Sequence, residues 1–206
     1  MNLSLFPAVL VTAVIILGGC NSSSSEALQN GDIIFQTSQS RQSVPIQLAT
    51  NSPYSHVGIV YIQDGKTFVF EAVQPVKSTP LQEWIDRGKD GHYVVKRLKD
   101  TSPLTEESLA AMLEIGESWR GRSYDGKFQW SDDLLYCSEL VWKLYDRGAG
   151  IELCAPSSVG ELELSDPKVL SLIKQRYPTG NYPKDEVIVT PADLFGCSLL
   201  ETVIEY

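Results

Sequence analysis

The sequence predicts one α+β domain, and three observations carry that prediction. Residues 56 to 73 read as a β-hairpin around Asp64-Gly65, and residues 103 to 120 and 137 to 148 carry apolar stripes at helical spacing. The third is size: 206 residues with 43% hydrophobic and 21% charged content suffice for one well-packed core and are too few for two comfortable domains.

The elements follow in order. Gly31-Asp32-Ile33-Ile34-Phe35 opens the folded part as a strand, and residues 42 to 50 suit a short helix before the turn Asn51-Ser52-Pro53. After the hairpin, Pro80 starts a brief helix, LQEWIDRG, which Gly88 ends. Residues 93 to 98 form another strand. Ser102-Pro103 reads as N-cap and first residue of a helix to about residue 120, with Leu104, Leu109, Met112, Leu113 and Ile115 as its core stripe. The segment GRSYDGKFQWSDDLLY leads into CSELVWKLYDRG, where Leu140, Val141, Leu144 and Tyr145 share a helical face. Cys137 therefore sits in that helix's first turn. The last third alternates Pro-rich turns with a helix at 167 to 176 and strands at 186 to 190 and 199 to 205.

A two-residue turn at Asp64-Gly65 pairs residues whose numbers sum to 129. Ile62 then faces Thr67, Val60 faces Val69, Gly58 faces Glu71 and His56 faces Val73. His56, Gly58, Glu71 and Val73 share one face, and His56 and Glu71 become diagonal neighbours, ~7–8 Å apart at Cα and within reach of their side chains. A charged residue among Val69, Phe70, Ala72 and Val73 is costly to bury without a partner, and the imidazole is the partner on offer. The other histidine, His92, lies in the charged turn RGKDGHY and suits a structural role.

The formal net charge of -9 and pI near 4.7, with no clustered Lys or Arg, argue against nucleic acid as a partner. Two histidines in unlike contexts and scattered acids offer no metal-ligand cluster, and no cofactor is called for. Residues 1 to 20, MNLSLFPAVLVTAVIILGGC, hold no charged side chain and end in Leu17-Gly18-Gly19-Cys20 before a serine run. This resembles a bacterial lipoprotein signal, which implies acylation of Cys20, a lipid anchor in the membrane, a tether over residues 21 to 30 and a single domain over 31 to 206. The alternative is an uncleaved N-terminal membrane helix. Either puts the domain outside the cytoplasm, in the cell envelope. With Cys20 lipidated, Cys137, Cys154 and Cys197 remain, an odd number that leaves at least one unpaired within the chain. Cys154 and Cys197 suit buried packing or a mutual disulfide.

Cys137 is the candidate nucleophile. A thiol at a helix N-terminus faces the positive end of the helix dipole and unpaired N–H groups, both of which favour thiolate. His56 can exchange its proton, Glu71 can orient the imidazole, and the Cys137 N–H can contribute to an oxyanion hole. Tyr124, Asp125 and Trp130, just ahead of the cysteine helix, are candidates for lining the cleft.

The blocks GDIIF, YSHVGIVY, VFEAV, YDGKFQWSDDLLYCSELVWKLY and VTPADL together resemble the YiiX-like proteins of the NlpC superfamily over nearly all of the chain after residue 30. The resemblance implies a circularly permuted papain-like fold, in which the histidine strand precedes the cysteine helix, as His56, Glu71 and Cys137 do here. It maps the family's nucleophile onto Cys137, its base onto His56 and its third polar residue onto Glu71. The lecithin:retinol acyltransferase-like enzymes share the permuted order, which implies acyl-lipid substrates. Non-permuted relatives cut peptidoglycan stem peptides and usually carry His, Asn or Gln where this chain has Glu71. The expectation is a cysteine hydrolase or acyltransferase that works through a thioester on an envelope amide or ester. The alternative is a catalytically silent domain that holds an envelope ligand in the same cleft.

Overall fold

The computed structural model describes residues 27 to 206. The expected signal, Cys20 and most of the expected tether lie outside the described residues. Strand β1 (Ile33–Ser38) and helix α1 (Ser43–Thr50) precede the hairpin of β2 (His56–Gln63) and β3 (Lys66–Glu71). A short strand β4 (Lys77–Pro80), helix α2 (Leu81–Asp86) and the long strand β5 (Gly88–Leu98) follow. Next come α3 (Glu106–Trp119), α4 (Cys137–Ala149), β6 (Ser157–Ser158), α5 (Pro167–Arg176), β7 (Val187–Ile188), α6 (Pro191–Phe195) and β8 (Leu200–Glu205).

Six strands form one antiparallel sheet in the order β4-β3-β2-β1-β5-β8, and β6 pairs with β7 in a separate two-residue ribbon. Strand alternation divides the apolar residues between two faces. Ile33, Phe35, Val57, Ile59, Phe70 and Val94 belong to the main core with α3 and α4, while Ile34, Val60, Val69 and Val95 pack with Trp84 of α2. Helix α4 is the central rod: Leu140, Val141, Leu144 and Tyr145 are fully buried. It crosses α3 at Gly148, where a Cβ would lie 2.4 Å from Met112 Cγ, so only glycine permits this approach.

The hairpin register is the predicted one, with Val60 opposite Val69 and Ile62 opposite Thr67. Asp64 and Gly65 have φ of 50° and 71°, the two positive values that a type I′ turn needs. Regular β2–β3 pairing stops at Ile59–Phe70, because β3 continues against β4, with Glu71 opposite Lys77. The expected pair His56–Val73 therefore lies beyond the ladder.

Other expectations need correcting. Helix α3 starts after Thr105, whose Oγ1 accepts from Ser108 N at 3.2 Å, and the turn at Ser102-Pro103 precedes it. Glu106 and Glu107 in the first turn reinforce that start through the helix dipole. Its buried residues are Met112, Gly116 and Trp119, whereas Leu113 is 43% exposed. The strand expected at 186 to 190 shrinks to β7, since Thr190 caps α6. Nor are residues 27 to 30 a loose tether. Ala27 O accepts from Arg97 Nη2 at 2.8 Å, Asn30 Oδ1 accepts from Ile62 N at 2.7 Å, and Leu28 packs behind the sheet. Arg97 also grips the buried Asp32 through both carboxylate oxygens, at 2.7 and 2.8 Å.

Candidate active site

His56 is the first residue of β2, and Glu71 is the last of β3. Gly58 lies between them on the shared face, and a Cβ there would sit 2.4 Å from Val69 Cγ1 and 3.0 Å from the Phe70 carbonyl oxygen. Glycine thus lets the two strand ends close up. Nε2 of His56 lies 2.5 Å from Glu71 Oε2, and both side chains are buried. The second carboxylate oxygen accepts from Thr79 Oγ1 at 2.6 Å and from Arg87 Nη2. Thr79 comes from β4 and Arg87 from the end of α2, two partners the sequence reading did not identify. Trp84 stacks near the imidazole at 6.0 Å between ring centroids and 29° between planes.

Burial opposes charge on both members of this pair, and their contacts overcome it. Burial alone would lower the His56 pKa, but hydrogen bonds to Cys137 and Glu71, and the charges behind them, raise it to about 9. For Glu71, burial is outweighed by His56, then Thr79 and Arg87, which bring its pKa down to about 2. The pair is imidazolium and carboxylate through the neutral range. Nε2 is occupied by Glu71, so Nδ1 is the ring nitrogen left for the Cys137 thiol.

Cys137 is the first helical residue of α4, and Tyr136 is its N-cap. Helix N-terminal amides lack partners within the helix, so the Cys137 N–H is available beside its own sulfur. The helix end is fixed by Glu139, fully buried, which accepts from Tyr136 N at 3.3 Å and Ser131 N at 3.2 Å. Lys143 meets Glu139 at 2.7 Å and also donates to Ser131 O at 2.8 Å. Burial outweighs even this partner and pushes the Glu139 carboxyl up to about 7.

The three residues proposed to line the cleft divide. Tyr124 does line it. Its hydroxyl accepts from Gln42 Nε2 at 2.9 Å, Gln42 Oε1 in turn accepts from Arg176 at 2.5 Å, and burial, then the nearby Cys137, raises its pKa well above 10. Asp125 is buried but turned into its own loop, where it accepts from Lys127 N at 2.7 Å and Gln129 N at 2.6 Å. Trp130 packs edge-on against Trp142, at 5.3 Å between centroids, beneath Lys143. Neither borders the cleft. His92 stacks on Tyr54, at 6.5 Å between ring centroids. Cys154 and Cys197 are free thiols, as is Cys137, and Cys197 Sγ donates to Leu153 O at 2.5 Å. The mutual disulfide is not formed.

Two cavities meet at Tyr124. One, of about 100 Å³, is apolar and reaches Cys137 between α1, α5 and the segment ahead of β7, with Ile46, Ala49, Leu162, Val169 and Ile173 in its wall. The other, of about 640 Å³, is polar and holds His56. The Gln42–Tyr124 hydrogen bond stands between them.

Residues 27–204 match the family of permuted papain-like amidase enzymes, YaeF/YiiX, C92 family. The chain belongs to this family. Among curated proteins it is similar to the uncharacterized protein YiiX of Escherichia coli K12, 44% identical over 175 residues, which is 85% of each protein. Among solved structures it is similar to YiiX from Escherichia coli O157:H7, with a TM-score of 0.81, 44% identity and coverage of 86% of this chain and 97% of that one. The circularly permuted papain-like fold of the permuted amidases is thus the fold of this chain, and its histidine-before-cysteine order is the permuted one. The O157:H7 protein is described as a metalloprotein. Among the described residues of this chain, no three His, Cys, Asp or Glu side chains gather to hold a metal, and both Glu71 oxygens are taken by His56, Thr79 and Arg87. The site's side chains therefore do not fit a resident metal.

Proposed function

We propose that this permuted amidase is a cysteine hydrolase of the cell envelope that cleaves an amide bearing an apolar acyl group, through a thioester on Cys137. The observation that carries the acyl side is the apolar cavity that ends on Cys137. Its volume of about 100 Å³ takes the first few methylenes beside the carbonyl, each favourable by ~0.8 kcal/mol when it leaves water. The imidazolium–carboxylate pair supports the proton chemistry. Envelope location and lipid anchoring rest on the N-terminal sequence through Cys20.

The Cys137 thiolate attacks the carbonyl carbon, a C–S bond forms, and the carbonyl electron pair moves to oxygen. The Cys137 N–H and the Tyr124 hydroxyl stabilise that oxyanion; Gln42 donates to the Tyr124 oxygen, which leaves the phenol's own proton to give. The C–N bond then breaks as His56 gives its proton to the departing nitrogen. Water attacks the thioester and passes a proton to His56, and the thiolate leaves, so an acid and an amine are released. Glu71 keeps Nε2 engaged and the ring oriented throughout.

The test is intact-protein mass spectrometry of acid-quenched reactions with an N-dodecanoyl amide. A dodecanoyl adduct on Cys137, and loss of both adduct and turnover in Cys137→Ala, is the expected result. Turnover that survives Cys137→Ala would overturn the reading.

A further inference from the structure

The polar cleft holds one side chain that the chemistry above does not use. Gln36 of β1 is 1% exposed and is the direct cross-strand partner of His56. It borders the cleft, yet neither its Oε1 nor its Nε2 has a hydrogen-bond partner among the described residues. The Nε of Arg87, next to it in the same cleft, is likewise buried and unpartnered. An amide left this way is less favourable than one that is satisfied.

A Cβ on Gly88 would lie 2.2 Å from Gln36 Oε1, so glycine at the start of β5 makes room for the amide. Three other glutamines border the cleft, and each has its NH₂ committed: Gln39 to Gly88 O at 2.9 Å, Gln42 to Tyr124 and Gln74 to Ser123 at 3.2 Å. Of the four, Gln36 is the one whose amide is buried with neither polar atom bonded.

We infer that Gln36 recognises the leaving-group half of the substrate and that this half carries a neutral peptide-type amide. The inference rests on the proposed acyl-amide chemistry, which fixes the sides. His56 must protonate the departing nitrogen, and of the two cavities His56 borders the polar one, so the amine leaves into it while the acyl chain stays in the apolar cavity beside Cys137. A primary carboxamide presents a C=O and an N–H on one edge, as do the N–H and C=O of a single extended peptide residue, and either is the complement of Gln36's own pair. Charge argues in the same direction. Asp86 and Arg87, of opposite sign, border the cleft together, and Glu71 offsets the Arg87 charge through Nη2 while its Nε stays a single open donor, so among the described residues no cationic cluster borders this cleft.

Three probes share one acyl chain: N-dodecanoylglycinamide, its hydrocarbon shape analogue N-dodecanoylisobutylamine, and N-dodecanoylglycine. Their dissociation constants are measured by titration calorimetry on the Cys137→Ala protein, with turnover on the wild type measured separately. The glycinamide probe should bind at least about ten-fold more tightly than the isobutyl probe, because a site made to hydrogen-bond rejects the analogue that cannot. Adding Gln36→Met should bring that ratio close to one, and Gln36→Leu replaces it if the Met variant does not fold. A wild-type ratio near one, a ratio that Gln36 substitution leaves intact, tightest binding by the carboxylate probe, or no binding of any probe overturns the assignment. Absence of turnover with the binding ratio intact removes the proposed amidase reaction and leaves this recognition site standing.

Discussion

Glu71 is held from three elements: His56 of β2 on one oxygen, Thr79 of β4 and Arg87 after α2 on the other. That arrangement makes the carboxylate a fixed negative post whose charge keeps the imidazole protonated. Glu71→Gln removes the charge with little change of shape, so kcat/KM should fall on the order of a hundred-fold, within the usual range for general acid–base assistance. Equal activity of the variant would take Glu71 out of the mechanism. The pH dependence follows from the same pair. His56 holds its proton up to about 9, so amide cleavage that needs this acid should decline as pH rises through about 9. Stability carries the same signature. The folded His56 value lies above its ordinary 6.5, so its contribution is complete below 6.5 and lost as pH rises through about 9. For Glu71 the folded value of about 2 lies below 4.5, so its contribution is complete above 4.5 and lost as pH falls through about 2. Thermal unfolding of wild type against His56→Ala should therefore differ most between pH 4.5 and 6.5. A difference that grows above pH 9 would contradict the assignment.

At the level of elements, the hairpin was legible because Asp64-Gly65 admits one two-residue turn, and that turn sets every facing pair. The meeting of His56 with Glu71 follows from register alone. Thr79, Arg87 and Gln36 were not legible, because each reaches the site through strand order: β4 lies beside β3, α2 covers the sheet face, and β1 lies between β2 and β5. No local spacing encodes those neighbours. The cap of α3 was misread for a related reason, since Ser102-Pro103 and Thr105-Glu106 both carry start signals and tertiary packing chose the second. Glu139 and Lys143 stand four apart in CSELVWK, a spacing that ordinarily marks an exposed helical pair, but here both are buried. Gly58 links the register to the site. Gly58→Ala would push a methyl into Val69 and the Phe70 carbonyl, so the strand ends must part. The expected cost is about 1–3 kcal/mol of stability, as for other overpacked sites, together with a loss of activity larger than Val69→Ala causes. Denaturant unfolding and turnover of the two variants decide this; a Gly58→Ala protein as stable and active as wild type removes the close-approach argument.

For the whole molecule, the permuted order places the proposed nucleophile on the helix that follows the sheet's hairpin, and the two cavities divide the Cys137–His56 pair, the apolar one bordered by Cys137 and the polar one by His56. The sequence offered the residues of the contact but not this sidedness, because the apolar wall is assembled from α1, α5 and the segments flanking β6 and β7, each unremarkable alone. The sidedness has a direct consequence for chain length. Ala49 of α1 lies in the apolar wall, and its small side chain leaves space that a phenylalanine would fill. Acyl chains long enough to reach Ala49 should then lose their binding energy, while a short chain should lose little. Over a series of N-acyl amides from acetyl to hexadecanoyl with one constant amine, the long-to-short ratio of kcat/KM should fall at least about ten-fold in Ala49→Phe, the scale on which hydrophobic pockets discriminate by size. A change that is uniform across chain lengths would mean that the acyl group does not occupy this cavity. A change that instead follows the amine, when the acyl chain is held constant and the amine is varied, would place the apolar half of the substrate on the His56 side and reverse the orientation of the scissile bond.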